Sequence, residues 1–335
     1  MDNSLFHDHI TTSVQEKINA MLGTCAHIAI TGHKFPDGDA VGSALALRRL
    51  LTNLGKRVDV LLPKSHIGNP QVFEDFDTIT DIREYDFSKE PDMFICLDCA
   101  EPLRICDKRM QHWIGKIPTV NIDHHGKVLF GDVNYVIKDY SSTGELVFNL
   151  AKAFAWPLDR QSAESLWVSI VTDTDRFIRG VQSSTFLCAA ELLSLGVRAT
   201  WLNDELFMQE PANVFELRRR AINSLEQWCA NSVAVITLTL EDFSETQCTK
   251  QDTADFPNIP LSVKGSKLAI FIYPLPGRKN ETRISLRSRQ GAQMTARQIA
   301  EHFGGAGHEH SAGALYFGTV FACKKAVRSF IENKG

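Results

Sequence analysis

The sequence holds no apolar run near the roughly 20 residues that a membrane-spanning helix needs, so no membrane role is expected. It also has no excess of basic charge. Lys and Arg number 36 against 40 Asp and Glu, a net charge of −4 at pH 7. Gripping long nucleic acid by bulk charge needs a broad cationic surface, so such a polymer is not an expected obligate partner. A short fragment in a local pocket is not excluded. Only one C-x-x-C occurs, at Cys96 and Cys99, and no second pair completes a thiolate zinc site. All eight cysteines are read as small buried hydrophobes of a cytoplasmic chain. The start, Met1 to Ser13, is polar and lacks the basic-then-apolar order of a signal peptide. Repeats and low-complexity segments are missing. Hydrophobic residues at 44% and charged residues at 23% argue against disorder or a coiled coil, and 335 residues suggest about two domains.

What is present is an alternation of helical and strand-like segments. Val14, Ile18, Met21 and Leu22 share one helical face. Ala26–Thr31 reads as a buried strand running into His33-Lys-Phe-Pro-Asp-Gly-Asp39, a turn. A helix from Ala40 to Leu54 follows, stopped by Gly55. Arg57–Leu62, Met93–Leu97 and Thr119–Ile122 read as further strands. Ser141 and Ser142 look like caps of a helix reaching Phe154, and Ala163–Val171 is helical. Such alternation predicts an α/β fold, a parallel sheet covered by helices on both faces. In these sheets ligands bind beyond the carboxyl ends of the strands. Residues 186–229 read as a helical connector broken at Pro211. A smaller α/β domain with a mixed sheet is expected over 230–335, with strands at Val233–Leu240, Lys267–Tyr273, Thr282–Ser288 and Ala314–Phe317.

Acidic and histidine clusters fall just after predicted strands. His33, Asp37 and Asp39 put one imidazole and two carboxylates on one turn, an oxygen-rich set suited to Mn²⁺, Co²⁺, Fe²⁺ or Mg²⁺. Alone, P-D-G-D is also an ordinary turn sequence. Asp98 ends an apolar strand, where a lone Asp is usually a helix cap. In Asp123-His124-His125, adjacent imidazoles point apart, so at most one ligates a given ion and the other is available to substrate. Asp123 is placed to orient a ring. Asp173 lies in Val-Thr-Asp-Thr-Asp-Arg-Phe. In the second domain, residues 278–297 carry six cations against one acid, Glu281. Arg283, Ser285, Arg287 and Arg289 share a strand face opposite Ile284 and Leu286. This face suits bidentate phosphate contacts, or is simply solvated. Gly304-Gly-Ala-Gly-His308 reads as a glycine loop that lets backbone approach a ligand.

Together these motifs resemble the DHH phosphoesterase superfamily. H-x-x-P-D-G-D-A-x-G-S stands at His33–Ser43, the strand-end Asp at Asp98, D-H-H at Asp123–His125 and T-D-T at Thr172–Thr174. The tail resembles the family's DHHA1-type accessory domain through Gly304–His308 and Ser311-Ala-Gly313. The resemblance spans essentially the whole chain and looks closest to the two-domain, NrnA-like oligoribonucleases and 3′-phosphoadenosine-5′-phosphate (pAp) phosphatases. It implies a DHH catalytic domain over 1–185, the connector over 186–229 and a DHHA1 substrate-binding domain over 230–335. It implies two divalent ions, Mn²⁺ above all, on His33, Asp37, Asp39, Asp98, His124 and Asp173, with Asp98 bridging. Such a pair acidifies a shared water into a nucleophile and stabilises charge on phosphoryl oxygens. Substrate contacts are implied for His125, Arg104, Arg283, Arg287, Gly305, Gly307 and His308.

Three positions depart from the pattern. Residues 126–131 lack the Asn that close relatives often carry after D-H-H, Asp175 stands where Gly is frequent after T-D-T, and Ala306 replaces a glycine. They put substrate preference in question without removing a ligand. The expected substrates are short oligoribonucleotides or pAp. The alternative is a cyclic-dinucleotide or pApA phosphodiesterase. A RecJ-like exonuclease would need room for a further nucleic-acid domain, and a family II pyrophosphatase has a different accessory domain. A nucleotide- or RNA-binding module without catalysis would have no need of four converging aspartates. Monomer and homodimer both stay open.

Overall fold

The computed structural model describes residues 11–126, 128–138 and 140–333. Lys127, in the segment after D-H-H, lies outside the described residues. The chain divides into two compact units, one reaching Gln209 and the other beginning at Glu210.

In the first unit the short apolar runs become strands β1 (His27–Thr31), β2 (Arg57–Leu62), β3 (Ile79–Asp81), β4 (Met93–Leu97), β5 (Thr119–Asp123) and β6 (Val133–Val136). They form one sheet in the order β3-β2-β1-β4-β5-β6, with every pairing parallel. The strand order reverses between β1 and β4, and a doubly wound sheet opens its ligand crevice at such a point. The accompanying helices are α1 (Thr12–Thr24), α2 (Gly38–Asn53), the short α3 (Lys108–Gln111), α4 (Thr143–Ala153), α5 (Arg160–Asp173), α6 (Ser183–Ser194) and α7 (Ala199–Phe207).

Strand alternation divides the apolar side chains between two faces. Ile28, Ile30, Ile95 and Leu97 enter the main core with Leu47, Leu51, Leu146 and Ile170 from the helices. Ala29, Phe94 and Cys96 enter a smaller core with Ile105, Met110 and Trp113. Both faces are therefore covered, which is why the strands read as continuous apolar runs. Glycine sets how closely α2 meets α5. A Cβ at Gly42 would run into Ser165 and Ser169, and one at Gly38 into the Thr172 side chain. The start of α2 thus lies directly on the end of α5.

The second unit contains α8 (Ala212–Asn223), β7 (Glu226–Trp228), β8 (Val233–Thr237), α9 (Leu240–Thr246), β9 (Leu268–Pro274), β10 (Glu281–Ser288), α10 (Ala296–His302), β11 (Ala306–His308), β12 (Ser311–Phe317) and α11 (Val320–Glu332). Its sheet runs β11-β12-β10-β9-β8-β7 and is mixed, since β8 and β9 are parallel and the other pairs antiparallel. Along β10 the even positions are buried, while Arg283, Ser285 and Arg287 share the half-buried face.

Two local expectations differ from what is found. The segment read as a connector is divided between the units. Cys188, Leu192 and Leu202 of α6 and α7 belong to the first unit's main core, while Val214, Leu217 and Ala221 of α8 pack in the second. The glycine segment is not an open loop. Ala306–His308 pairs with β12, and Cβ atoms at Gly305 and Gly307 would meet Ala314 and Ala312. Glycine is required there by the neighbouring strand. None of the eight cysteines is in a disulfide, and Cys96 and Cys99 are fully buried. Among the described residues no single helix is long and apolar enough to cross a membrane.

Candidate metal centre

The ends of β1, β4, β5 and α5 deliver the ionisable residues to one place. After β1, His33 pairs its backbone with Ile105 and is buried. Asp37 caps α2, its Oδ1 accepting from the N–H groups of Asp39 and Ala40 at 3.1 Å each. P-D-G-D is thus a helix start rather than a free-standing turn, with Gly38 and Asp39 already helical, and the cap is compatible with a second role. Asp98 follows β4 with φ of +56°, a left-handed conformation that residues other than Gly adopt uncommonly and that Asp and Asn tolerate best. Its N–H donates to the Ile122 carbonyl at 3.1 Å, and its side chain is buried. Asp123 closes β5, and Asp173 closes α5.

Two groups of donors meet at Asp98. His33, Asp37 and Asp98 offer atoms within 4.8 Å of one another, and so do Asp39, His124 and Asp173. Asp98 Oδ2 lies 3.3 Å from His33 Nε2, while its Oδ1 lies 3.7 Å from His124 Nε2. One carboxylate thus turns one oxygen to each histidine. His124 Nε2 is also 3.4 Å from Asp173 Oδ2 and 3.7 Å from Asp39 Oδ2. Its Nδ1 is 3.1 Å from the Tyr140 carbonyl, so Nδ1 is the donor to that carbonyl and Nε2 is the nitrogen turned to the carboxylates. A third grouping, Asp98, His124 and His125, is equally tight. There, however, His125 Nδ1 is bound 2.8 Å from Asp123 Oδ1. Asp123 also accepts from the His125 and Ala100 N–H groups, which makes it the orienting residue its position suggested.

The charges strain against one another. Burial pushes the Asp39 carboxyl up, and repulsion from Asp98 and Asp173 pushes it further. Asp173 is raised to about 6 by desolvation in the crowded cluster, although 31% of its side chain is exposed. His124 opposes that rise and Asp98 adds to it. Burial alone would also raise Asp98, but His125 and His33 hold it well below the usual carboxylate range. Burial would lower His33, yet Asp37 and Asp98 outweigh it and bring the ring to about 9. Asp123 and then Asp98 raise His125 to about 10, against its burial. His125 Nδ1 is taken up by Asp123, so that nitrogen acts as a donor there and is not free to ligate an ion.

Of the other expected residues, Arg104 ends a short turn, Pro102–Arg104, and its carbonyl accepts from the Lys34 N–H at 2.9 Å. That bond joins it to the His33 turn. Arg283 and Arg287 lie on one face of β10, and His308 on the exposed strand β11.

Comparison with known proteins fits this geometry. Residues 27–170 match the DHH family, N-terminal domain. The chain is 30% identical to a bifunctional oligoribonuclease and PAP phosphatase NrnA from Thermus thermophilus over 91% of its own length and 88% of that protein. The chain belongs to the DHH family. As a DHH protein it is a metal-dependent phosphoesterase related to NrnA. It is 24% identical to a cyclic-di-AMP phosphodiesterase, PdeA, from Listeria monocytogenes, covering 95% of this chain and 49% of that one. The fold is that of an exopolyphosphatase-related protein from Bacteroides fragilis, with a TM-score of 0.87 at 24% identity over 98% and 99% of the two chains.

The residues present fit two divalent ions. Carboxylates with a minority of imidazole suit hard to borderline metals. Asp98 Oδ1 and His124 Nε2 are buried without a hydrogen-bond partner, which is costly unless something else is bound there.

The residues that hold Asp39 carry no local signature in the sequence. Its Oδ2 accepts from the Thr143 N–H at 2.8 Å, and its Oδ1 from the Gly144 N–H at 3.0 Å and the Ser169 hydroxyl at 2.5 Å. The positive end of α4 and one hydroxyl of α5 thus fix a ligand carried by α2. Residues 104 and 130 positions apart reveal this only once folded.

Proposed function

We propose that the chain hydrolyses short oligoribonucleotides to mononucleotides and pAp to AMP, using two divalent ions, Mn²⁺ preferred. The observation that carries this reading is Asp98, whose two oxygens face different donor groups across 3.3 and 3.7 Å. His33, Asp37 and Asp98 would hold one ion, and Asp39, Asp98, His124 and Asp173 the other. When bound, the pair supplies an acidified water and positive charge for the phosphoryl oxygens. The chain's own residues do the rest. His125, kept protonated by Asp123, donates to a phosphate oxygen, and Arg104 adds a guanidinium beside it. In the second unit, read as a DHHA1-type substrate-binding domain, Arg283, Arg287 and His308 bind substrate phosphate and the backbone of Gly305 and Gly307 lies close to it. A reducing cytoplasm suits eight unpaired cysteines.

Likeness to PdeA over 95% of this chain favours a second reading, a phosphodiesterase of cyclic dinucleotides or pApA. One assay separates the two. The Mn²⁺-loaded chain is given pAp, a 5′-labelled trinucleotide, pApA, cyclic di-AMP and pyrophosphate. Release of AMP from pAp and mononucleotides from the trinucleotide is expected. Turnover confined to cyclic di-AMP supports the second reading, and tight binding with no turnover under any divalent metal refutes both.

A further inference from the structure

The turn that carries His33 and Asp37 also carries an aromatic ring with no role in the core. Phe35 is 65% exposed, although its neighbours His33 and Pro36 are buried. Burying a phenylalanine side chain is favourable, so holding one in solvent forgoes that contribution. The backbone beneath it is fixed. The Lys34 N–H donates to Arg104, the Lys34 carbonyl lies 3.0 Å from His66 Nδ1, and His33 pairs with Ile105. The Phe35 ring therefore projects from a rigid frame. It leans on the His66 ring at 5.2 Å between centroids, tilted by 32°, and Lys34 Nζ stands 5.9 Å from its centre. Leu103, next to Arg104 whose carbonyl holds Lys34, is 75% exposed.

We infer that Phe35, with the His66 ring against it, is a stacking platform for the nucleobase of a nucleotide whose phosphate lies over His33, Asp37 and Asp98. This rests on the nucleotide reading above and adds a base subsite to it. Phe35 stands two positions from His33 and two from Asp37, on the turn that carries both of these proposed ligands. Every base has a flat π-face, so one exposed ring accepts any of them. Lys34 and Arg104 supply cations for the phosphates between. A protein partner fits less well, because a specific protein interface needs roughly 800 Å² per side and the platform is one ring with a few flanking atoms.

The test uses the full Mn²⁺-loaded chain with pApA and with an abasic analogue whose terminal adenine is replaced by hydrogen. Wild type should show a KM about tenfold lower for pApA. Phe35→Ala should abolish that preference by raising KM for pApA, with kcat changed less than KM, and Phe35→Trp should restore it. A Phe35→Ala chain that keeps the preference, or that loses equally on both substrates, overturns the inference while leaving the hydrolase reading intact. A wild-type chain that turns over no nucleotide overturns the functional reading and this inference together.

Discussion

Asp98 shows how one residue can satisfy two demands. Its left-handed backbone is imposed by the sharp exit from β4, and that exit turns its two oxygens toward different histidines. Asp98→Asn is expected to remove turnover and to weaken both ions, read by calorimetric titration of Mn²⁺. Ser169→Ala should act more narrowly. It deletes one of the three donors on Asp39, so the ion held with His124 and Asp173 should bind about 10- to 100-fold more weakly. The other ion should bind as in wild type, and an unchanged affinity at the Asp39 site, or an equal loss at both sites, would remove Ser169 from this role. The two residues also mark how far a sequence can be read. Asp98 and the turn at His33–Asp39 were visible because strand ends and Pro-Gly turns have local signatures. Ser169 sits mid-helix among apolar residues, and its meaning depends on α2 and α4 arriving from elsewhere. Asp175 is an intermediate case. It occupies φ of +48°, which explains why glycine is frequent at that position, and its side chain pairs with Arg176 at 2.9 Å.

At the scale of elements, α2, α4 and α5 meet through small residues. A Cβ on Gly144 would strike the Ser169 side chain. Gly144→Ala should therefore destabilise the chain by about 1–3 kcal/mol, as overpacking does. In a Ser169→Gly background the same change should cost close to nothing, and the coupling can be read from denaturant curves of the four proteins. The far end of α5 carries a different device. Asp159 caps the helix through the Ser162 N–H and receives Arg49 Nε at 2.6 Å. Burial would raise its carboxyl, but Arg49 and Ser162 outweigh burial and hold it at about 2. The stabilisation is present above the unfolded value of about 3.9 and is lost as pH falls through about 2. Asp159→Asn keeps a good cap, so at pH 7 it should cost about 1 kcal/mol, the ion pair being partly exposed and screened. The acid limb of stability between pH 4 and 2 should flatten in urea titrations of this variant. The long amphipathic helices and the apolar strands were legible because their periodicity spans many residues. Strands β3, β7 and β11, with three residues each, carry no period, and β11 looked like a loop because its glycines answer to β12.

For the molecule as a whole, each of the two compact units packs its own buried side chains, so two cooperative transitions are expected. Every proposed ligand lies in the first. Adding Mn²⁺ should raise the melting temperature of one calorimetric transition and leave the other where it was, since an ion stabilises only the unit whose folded form binds it. The shift should vanish in Asp98→Asn, and an equal shift of both transitions would contradict the assignment. The net charge of −4 has a local meaning at this scale. Four aspartates gather in the first unit, while six cations and one acid occupy residues 278–297 of the second. An alternating α/β pattern followed by a smaller mixed sheet was readable from the sequence. The boundary was less so, because α6, α7 and α8 have the same helical pattern and only their packing partners separate them.

The anchoring of Asp39 also bears on ionic radius. With both oxygens tied to α4 and α5, this carboxylate cannot swing outward to follow a larger ion. Calcium takes bonds of about 2.3–2.6 Å and magnesium about 2.0–2.1 Å. A ligand with so little play would gauge its ion by size, and calcium, chemically agreeable to the same oxygens, would have to fit a place already set.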